Sequence, residues 1–189
     1  KSKPSIDKMI KSLDSFFGII SIALLQGMED PRRRLYYGLA GEYRLPKHGI
    51  EYRTPSSAIL AHPALFHLCY DLARASLYLG LSDIMYYSSM QLDDEKVIDI
   101  INTYDVQEAK KYIEKHKSII TAVFEKIYPS ADNNKLFNLI INGFMNYVDI
   151  SNMEKNWKLT PEYYNWTTHS ESDNCSVYKL KLPASKLII

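Results

Sequence analysis

The run Phe16 to Leu25, FFGIISIALL, carries no charge over ten residues. A helix that crosses a membrane needs about 20 apolar residues, so this run is half the required length and no membrane span is expected. Upstream of it Ile6, Met9, Ile10, Leu13, Phe16, Phe17 and Ile20 recur at steps of three and four, the helical period. A helix is therefore expected from near Ser5 to about Met28, with Lys8, Lys11 and Asp14 on the polar side of its first half. Its second half is apolar almost all round, and such a helix must be enclosed by other helices or by a neighbouring subunit. With 189 residues, 46% of them hydrophobic, the chain can supply that enclosure itself.

The remaining pattern continues the helical theme. Asp30-Pro31 reads as an N-cap followed by a first helical residue, opening a second helix to about Tyr43. Two prolines and a glycine in Leu45 to Pro55 make that stretch a loop or short extended arm. Ser56 and Ser57 cap a short helix, His62-Pro63 interrupts it, and residues 63–80 form a largely apolar helix expected to be central. Further helices are expected over Ser82 to Ser89 and from Asp93 to about Tyr104. Asp105 with Glu108 has the capping-box spacing and opens a helix that runs to Pro129, and residues 131–149 form another. The fold class is all-α, seven to nine helices in one domain or two lobes. The helical domain is placed at 1–164 and an irregular or extended C-terminal arm at 165–189, where Cys175 to Leu182 alternates like a strand.

Charge is distributed unevenly. Residues 1–53 hold ten Lys/Arg against six Asp/Glu, while Asp83 to Asp105 holds six acids and one lysine. Two cysteines, Cys69 within an apolar helix and Cys175 in the arm, make no disulfide framework and favour a cytoplasmic or other intracellular setting. The two N-glycosylation sequons at Asn165 and Asn174 are short enough to arise by chance.

No catalytic motif is present. The glycines are scattered rather than gathered into a phosphate loop, and there is no nucleophile elbow. His62, His67, Cys69 and Asp71 are poorly spaced for zinc and are assigned structural roles, so no metal and no cofactor is expected. Chemistry concentrates instead in Pro31 to Arg53, where Arg32, Arg33, Arg34, Arg44, Lys47 and Arg53 interleave with Tyr36, Tyr37, Tyr43 and Tyr52. Guanidinium groups bind phosphate bidentately and tyrosine rings stack on unpaired bases, which together suit single-stranded nucleic acid. The alternative is that these arginines pair with Glu29, Glu42 and Glu51 and the rings simply pack.

The function expected on this basis is a non-enzymatic, nucleocapsid-like assembly protein that touches RNA or another polyanion. Its C-terminal arm would mediate self-association or hold a protein partner. Two alternatives are a helical subunit of a large intracellular or organellar complex, and a small helical ribonuclease or toxin-type enzyme using Arg44 and His48. Pro46 lies between that pair, which places them on no common helix.

Overall fold

The computed structural model describes residues 6–82, 94–129 and 131–157, without the side chains of 80–82. The chain opens with α1 (Ile6–Ser12), a π-helical turn (Leu13–Gly18) and α2 (Ile19–Leu24), which run on as one helix. A 3-10 segment (Pro31–Leu35) leads to the hairpin β1 (Tyr43–Arg44) and β2 (Glu51–Tyr52). A second 3-10 segment (Ser57–Ala61) precedes α3 (Pro63–Ser82). Then come α4 (Asp94–Thr103), α5 (Val106–Lys115), α6 (Lys117–Ile127), α7 (Asn133–Asn142), a 3-10 turn (Phe144–Asn146) and α8 (Met153–Trp157). The expected all-α class holds, with the antiparallel pair β1–β2 as the sheet, in register Tyr43 to Tyr52 and Arg44 to Glu51. Among the described residues no helix is long and apolar enough to cross a membrane. Of the helix expected over Ser82 to Ser89, Ser82 is the last residue of α3 and residues 83–89 lie outside the described residues, as do the Asp93 cap and the whole 165–189 arm.

The first helix, not the helix of residues 63–80, is the centre of the molecule. Every residue from Ser12 to Leu25 is buried. α3 packs against α1 and the π turn, α4 against the π turn and α2, and α5 and α7 against α2. The apolar run is thus covered on all sides by its own chain. The buried apolar side chains form one connected cluster in which Phe16, Ile19, Ile20, Ile22, Leu24, Leu65, Leu72, Ile100, Ile113 and Phe124 are fully enclosed. α3 has a less complete apolar burial than the sequence implied, since Phe66, Tyr70 and Tyr78 stay exposed on its outer side.

Several boundaries differ from expectation, each for a local reason. The second helix stops at Leu35 instead of reaching Tyr43: Asp30 caps it through the Arg32 N–H, but Gly38 adopts φ +89° and the chain turns away. The expected helix from Val106 to Pro129 is two helices, because His116 leaves helical geometry at φ −104° and ψ 18°. The His116 ring lies 4.3 Å from the Tyr112 ring, tilted by 44°, and its Nδ1 lies 2.8 Å from the Tyr112 carbonyl oxygen. The helix expected over 131–149 ends at Asn142, where Gly143 at φ +86° turns the chain and leaves Gln26 room to donate to Ile141 O at 3.0 Å. Met145 and Ile98, both apolar, are exposed.

The capping box at Asp105 is as expected, its carboxylate accepting the Glu108 N–H at 2.9 Å. The dominant stabilisation is burial around α2. Leu24→Ala should cost about 2–5 kcal/mol through lost transfer energy and the cavity left behind. The Asp105→Ala cap deletion should cost about 1 kcal/mol. Urea midpoints of the two variants compared with the parent chain test that order.

Candidate functional site

The Arg/Tyr segment is built around two acids that immediately precede it. The first is Glu29, whose side chain is only 2% exposed. Its Oε1 accepts from Arg33 Nη1 at 3.0 Å and lies 3.1 Å from Arg34 Nη2, a contact that is coulombic because the alignment is too poor for a hydrogen bond. Arg33 also donates to the carbonyls of Arg53, Thr54 and Pro55, and Arg34 donates to Thr54 O at 3.1 Å. These two guanidinium groups therefore bind the chain just after β2 onto the 3-10 segment. Arg34 is 4% exposed and sits over the Tyr104 ring at 5.7 Å. Burial lowers its affinity for its proton, the Glu29 carboxylate raising it in partial compensation. The arginines at the start of a helical turn invite an anion, and Glu29 and Asp30 supply it from within the chain.

A second group of contacts closes the loop between the 3-10 segment and the hairpin. The Glu42 carboxylate accepts the N–H groups of Gly38 and Leu39 and pairs with Arg53 at 2.9 Å. The Tyr37 ring lies 4.6 Å from the Arg33 guanidinium and 5.4 Å from that of Arg53. Tyr43 and Tyr52 pack against the core. Arginine–tyrosine interleaving in this stretch is thus largely an internal stack, and the pairing of the arginines with Glu29, Glu42 and Glu51 is the alternative that the structure realises.

The remaining residues of the segment face solvent. Arg32 is 81% exposed and pairs with Asp30 at 2.6 Å, and Arg44 is 62% exposed and pairs with Glu51 at 2.5 Å. Lys47 and His48 are exposed in the hairpin turn, and Lys47 makes no ion pair among the described residues. Tyr36 is 83% exposed, with Leu35, Leu39, Leu45 and Ile50 exposed around it in sequence. The segment accordingly divides into a structural set (Arg33, Arg34, Arg53, Tyr37, Tyr43) and an outward set (Arg32, Tyr36, Arg44, Lys47). Arg44 and His48 stand on a strand and in a turn, so they form no helical nuclease pair.

One contributor was read in the sequence only as a solvated charge. Asp14, in the π turn, is buried, and its carboxylate accepts from Tyr52 Oη at 2.7 Å and Gly41 N at 2.7 Å and faces Thr54 Oγ1 at 3.4 Å. Burial pushes its carboxyl up to about 6 against the lowering effect of those hydrogen bonds and of Arg34. Tyr52 is held well above its usual range by burial, with the Asp14 charge beside it. The helical period gave no sign of this role, because the donors arrive from residues 27 to 40 positions later.

The residues His62, His67, Cys69 and Asp71 make contacts within the fold. His67 Nε2 lies 3.3 Å from Asp71 Oδ2, Tyr128 Oη donates to Asp71 at 2.6 Å, and burial pushes the Cys69 thiol up to about 12. Among the described residues no group of three or more His, Cys, Asp or Glu side chains is placed to hold a metal ion.

Residues 3–159 match the family described as Phage phiEco32-like COOH.NH2 ligase-type 2. No curated protein and no solved structure gives a significant match to the chain. The family match overturns the expectation of a non-enzymatic, nucleocapsid-like assembly protein that binds RNA, and with it the ribonuclease and structural-subunit alternatives, because the family is one of ligases.

The two kinds of ion pair should respond differently to mutation. Glu29→Ala leaves two enclosed guanidinium groups without their acid and should cost about 3–5 kcal/mol. Asp30→Ala opens a solvent-facing pair and removes the cap, costing about 1 kcal/mol. Urea unfolding of both variants measures the contrast. Asp14 gives a pH test. Its folded value of about 6 lies above the unfolded 3.8, so the folded chain keeps a proton that the unfolded chain releases between those values. The resulting stabilisation, about 3 kcal/mol at 1.36 kcal/mol per pH unit, is complete below the unfolded value and is lost as pH rises through the folded one. In Asp14→Asn that loss should disappear from the difference between unfolding free energies at pH 4 and pH 7.

Proposed function

Because the chain belongs to the phage phiEco32-like COOH.NH2 ligase-type 2 family, we propose that it takes part in joining a carboxyl group to an amine. The observation that carries this reading is the extent of the match, residues 3–159, which includes the whole Arg/Tyr segment and the helix that supports it.

A carboxylate is a poor electrophile, and its condensation with an amine in water requires prior activation of the carboxyl oxygen. The described residues include no phosphate-binding glycine loop and no metal cluster, so the activating step is not assigned to them. Their contribution is to hold an anionic substrate. Exposed ion pairs are worth about 0–1 kcal/mol, so the Asp30–Arg32 and Glu51–Arg44 pairs exchange readily for a ligand carboxylate or phosphate. A guanidinium group then meets that ligand through two parallel N–H donors. Lys47 adds a positive charge that makes no ion pair among the described residues, and the exposed ring of Tyr36 adjoins this surface in sequence. Arg33, Arg34 and Arg53 keep the frame rigid from within. The outward set binds substrate in this reading, and the structural set fixes its geometry.

The reading is tested with purified chain, ATP, and paired mixtures of carboxylic acids and amines. The expected result is nucleotide cleavage that requires both partners, with a product whose mass is that of acid plus amine less water. Arg32→Ala, Arg44→Ala and Lys47→Ala should each raise KM for the acid about tenfold, or about 1.4 kcal/mol, with unfolding midpoints little changed. No acid- and amine-dependent turnover with any pair would remove the proposal.

A further inference from the structure

Asp14 is the one carboxylate in the first helix that reaches both ends of the hairpin segment. On the side that leads into β1, its Oδ2 accepts the Gly41 N–H at 2.7 Å. On the β2 side, its Oδ1 accepts the Tyr52 hydroxyl at 2.7 Å and faces the Thr54 hydroxyl at 3.4 Å. Thr54 continues the chain by donating to Leu39 O at 2.9 Å, and its own carbonyl accepts from Arg33 and Arg34. The backbone around Asp14 is a π turn, a feature that often marks functional positions because it costs helical regularity. Gly18, at the end of the same turn, makes the approach possible: a Cβ there would stand 2.9 Å from Tyr52 Oη and 3.1 Å from Ile101 Cδ1.

We infer that Asp14 is a positioning residue, setting where the hairpin, and with it Arg44 and Lys47, stands relative to the helical body. Two strands of two residues each have little ladder of their own, and an isolated hairpin of this size is at best marginally stable. Its placement therefore depends on anchors outside the ladder. Arg33, Arg34 and Glu42 hold the backbone next to the hairpin, whereas Asp14 ties the two sides of it to the buried helix at a single point. Its consequence for substrate binding rests on the ligase reading; its consequence for the hairpin does not.

The groups facing Asp14 are few. Tyr52 and Thr54 bring hydroxyls and Gly41 an amide N–H. Arg34 brings the positive charge that acts on it, balanced by Glu29; Ile101 of α4 stands against Gly18 at the end of the turn, and the Ser76 carbonyl of α3 accepts from Ser12 just before it. When the hairpin lifts, Asp14 loses the Tyr52, Gly41 and Thr54 hydrogen bonds that lower its carboxyl, together with the share of burial that the hairpin supplies. Seating of the hairpin is thereby linked to the protonation of Asp14.

The test uses the full chain and the variants Asp14→Asn and Tyr52→Phe, the second of which keeps the ring and removes only the hydroxyl. Asp105→Ala, a cap deletion far along the chain, serves as the control for general destabilisation. Under native conditions trypsin should cut after Arg44 or Lys47 about tenfold faster in both hairpin variants than in the parent chain, and no faster in the control. Amide exchange supplies a readout that a purely structural role does not move. The protection of Gly41 in the parent chain relative to Asp14→Asn should change between pH 5 and pH 7, intrinsic exchange cancelling in the ratio. Unchanged cleavage in both variants, or a protection ratio independent of pH, overturns the inference. Faster cleavage in a chain that catalyses no ligation supports the positioning role and removes only the ligase reading.

Discussion

The enclosure of the first helix is the constraint from which the rest of the structure follows. Fourteen consecutive residues, Ser12 to Leu25, are shielded from water, and a helix buried on every side demands partners in every direction. α3 and α4 cover the π turn, and α4, α5 and α7 cover α2. Polar groups inside such an enclosure must find partners or cost several kcal/mol each. Ser12 donates to the Ser76 carbonyl, Ser21 to Gly18 O, and Tyr104 caps the end of the helix by donating to Leu25 O at 3.0 Å. Asp14 is the most demanding of these groups, and the hairpin segment answers it. The same helix thereby builds the core and fixes the surface feature that carries the functional reading.

Burial also sorts the charges by role. Glu29 with Arg33 and Arg34 is an enclosed network in which each group depends on the others, so it specifies one arrangement of the chain around it. Asp30 with Arg32 and Glu51 with Arg44 are pairs in open solvent, where attraction and desolvation nearly cancel. The first kind is suited to holding a frame, the second to exchanging partners with a ligand. The Arg/Tyr segment contains both kinds side by side.

The larger helices were legible because their signals are local. The three- and four-residue spacing of Ile6 to Ile20, the Asp105–Glu108 capping box and the His62-Pro63 interruption each act within a few residues. The breaks that escaped the sequence reading have other origins. His116 carries neither proline nor glycine to announce it, and the apolar stripe continues through it from Ile113 to Ile120, so only packing reveals the change of direction. Gly38 and Gly143 were visible as glycines, but nothing nearby showed that their backbones would be left-handed. The outward side chains of Ile98, Phe66 and Met145 likewise depend on which neighbours arrive, which the periodic pattern does not encode.

By itself the sequence determined an all-α chain, the need to surround an apolar helix, and the concentration of arginine and tyrosine between Pro31 and Arg53. It also contained both partners of every ion pair in that segment, and could not choose between internal pairing and an external anion. Tertiary structure made that choice, because whether a guanidinium group meets a carboxylate depends on distances across folded segments rather than on composition. It turned Asp14 from a charge on a helix into the anchor of a hairpin, through donors that the chain brings back only after several turns. The physical reason is range: helical period and capping act over three or four residues, whereas desolvation and hydrogen bonding at a buried carboxylate are settled by whatever the completed fold places around it.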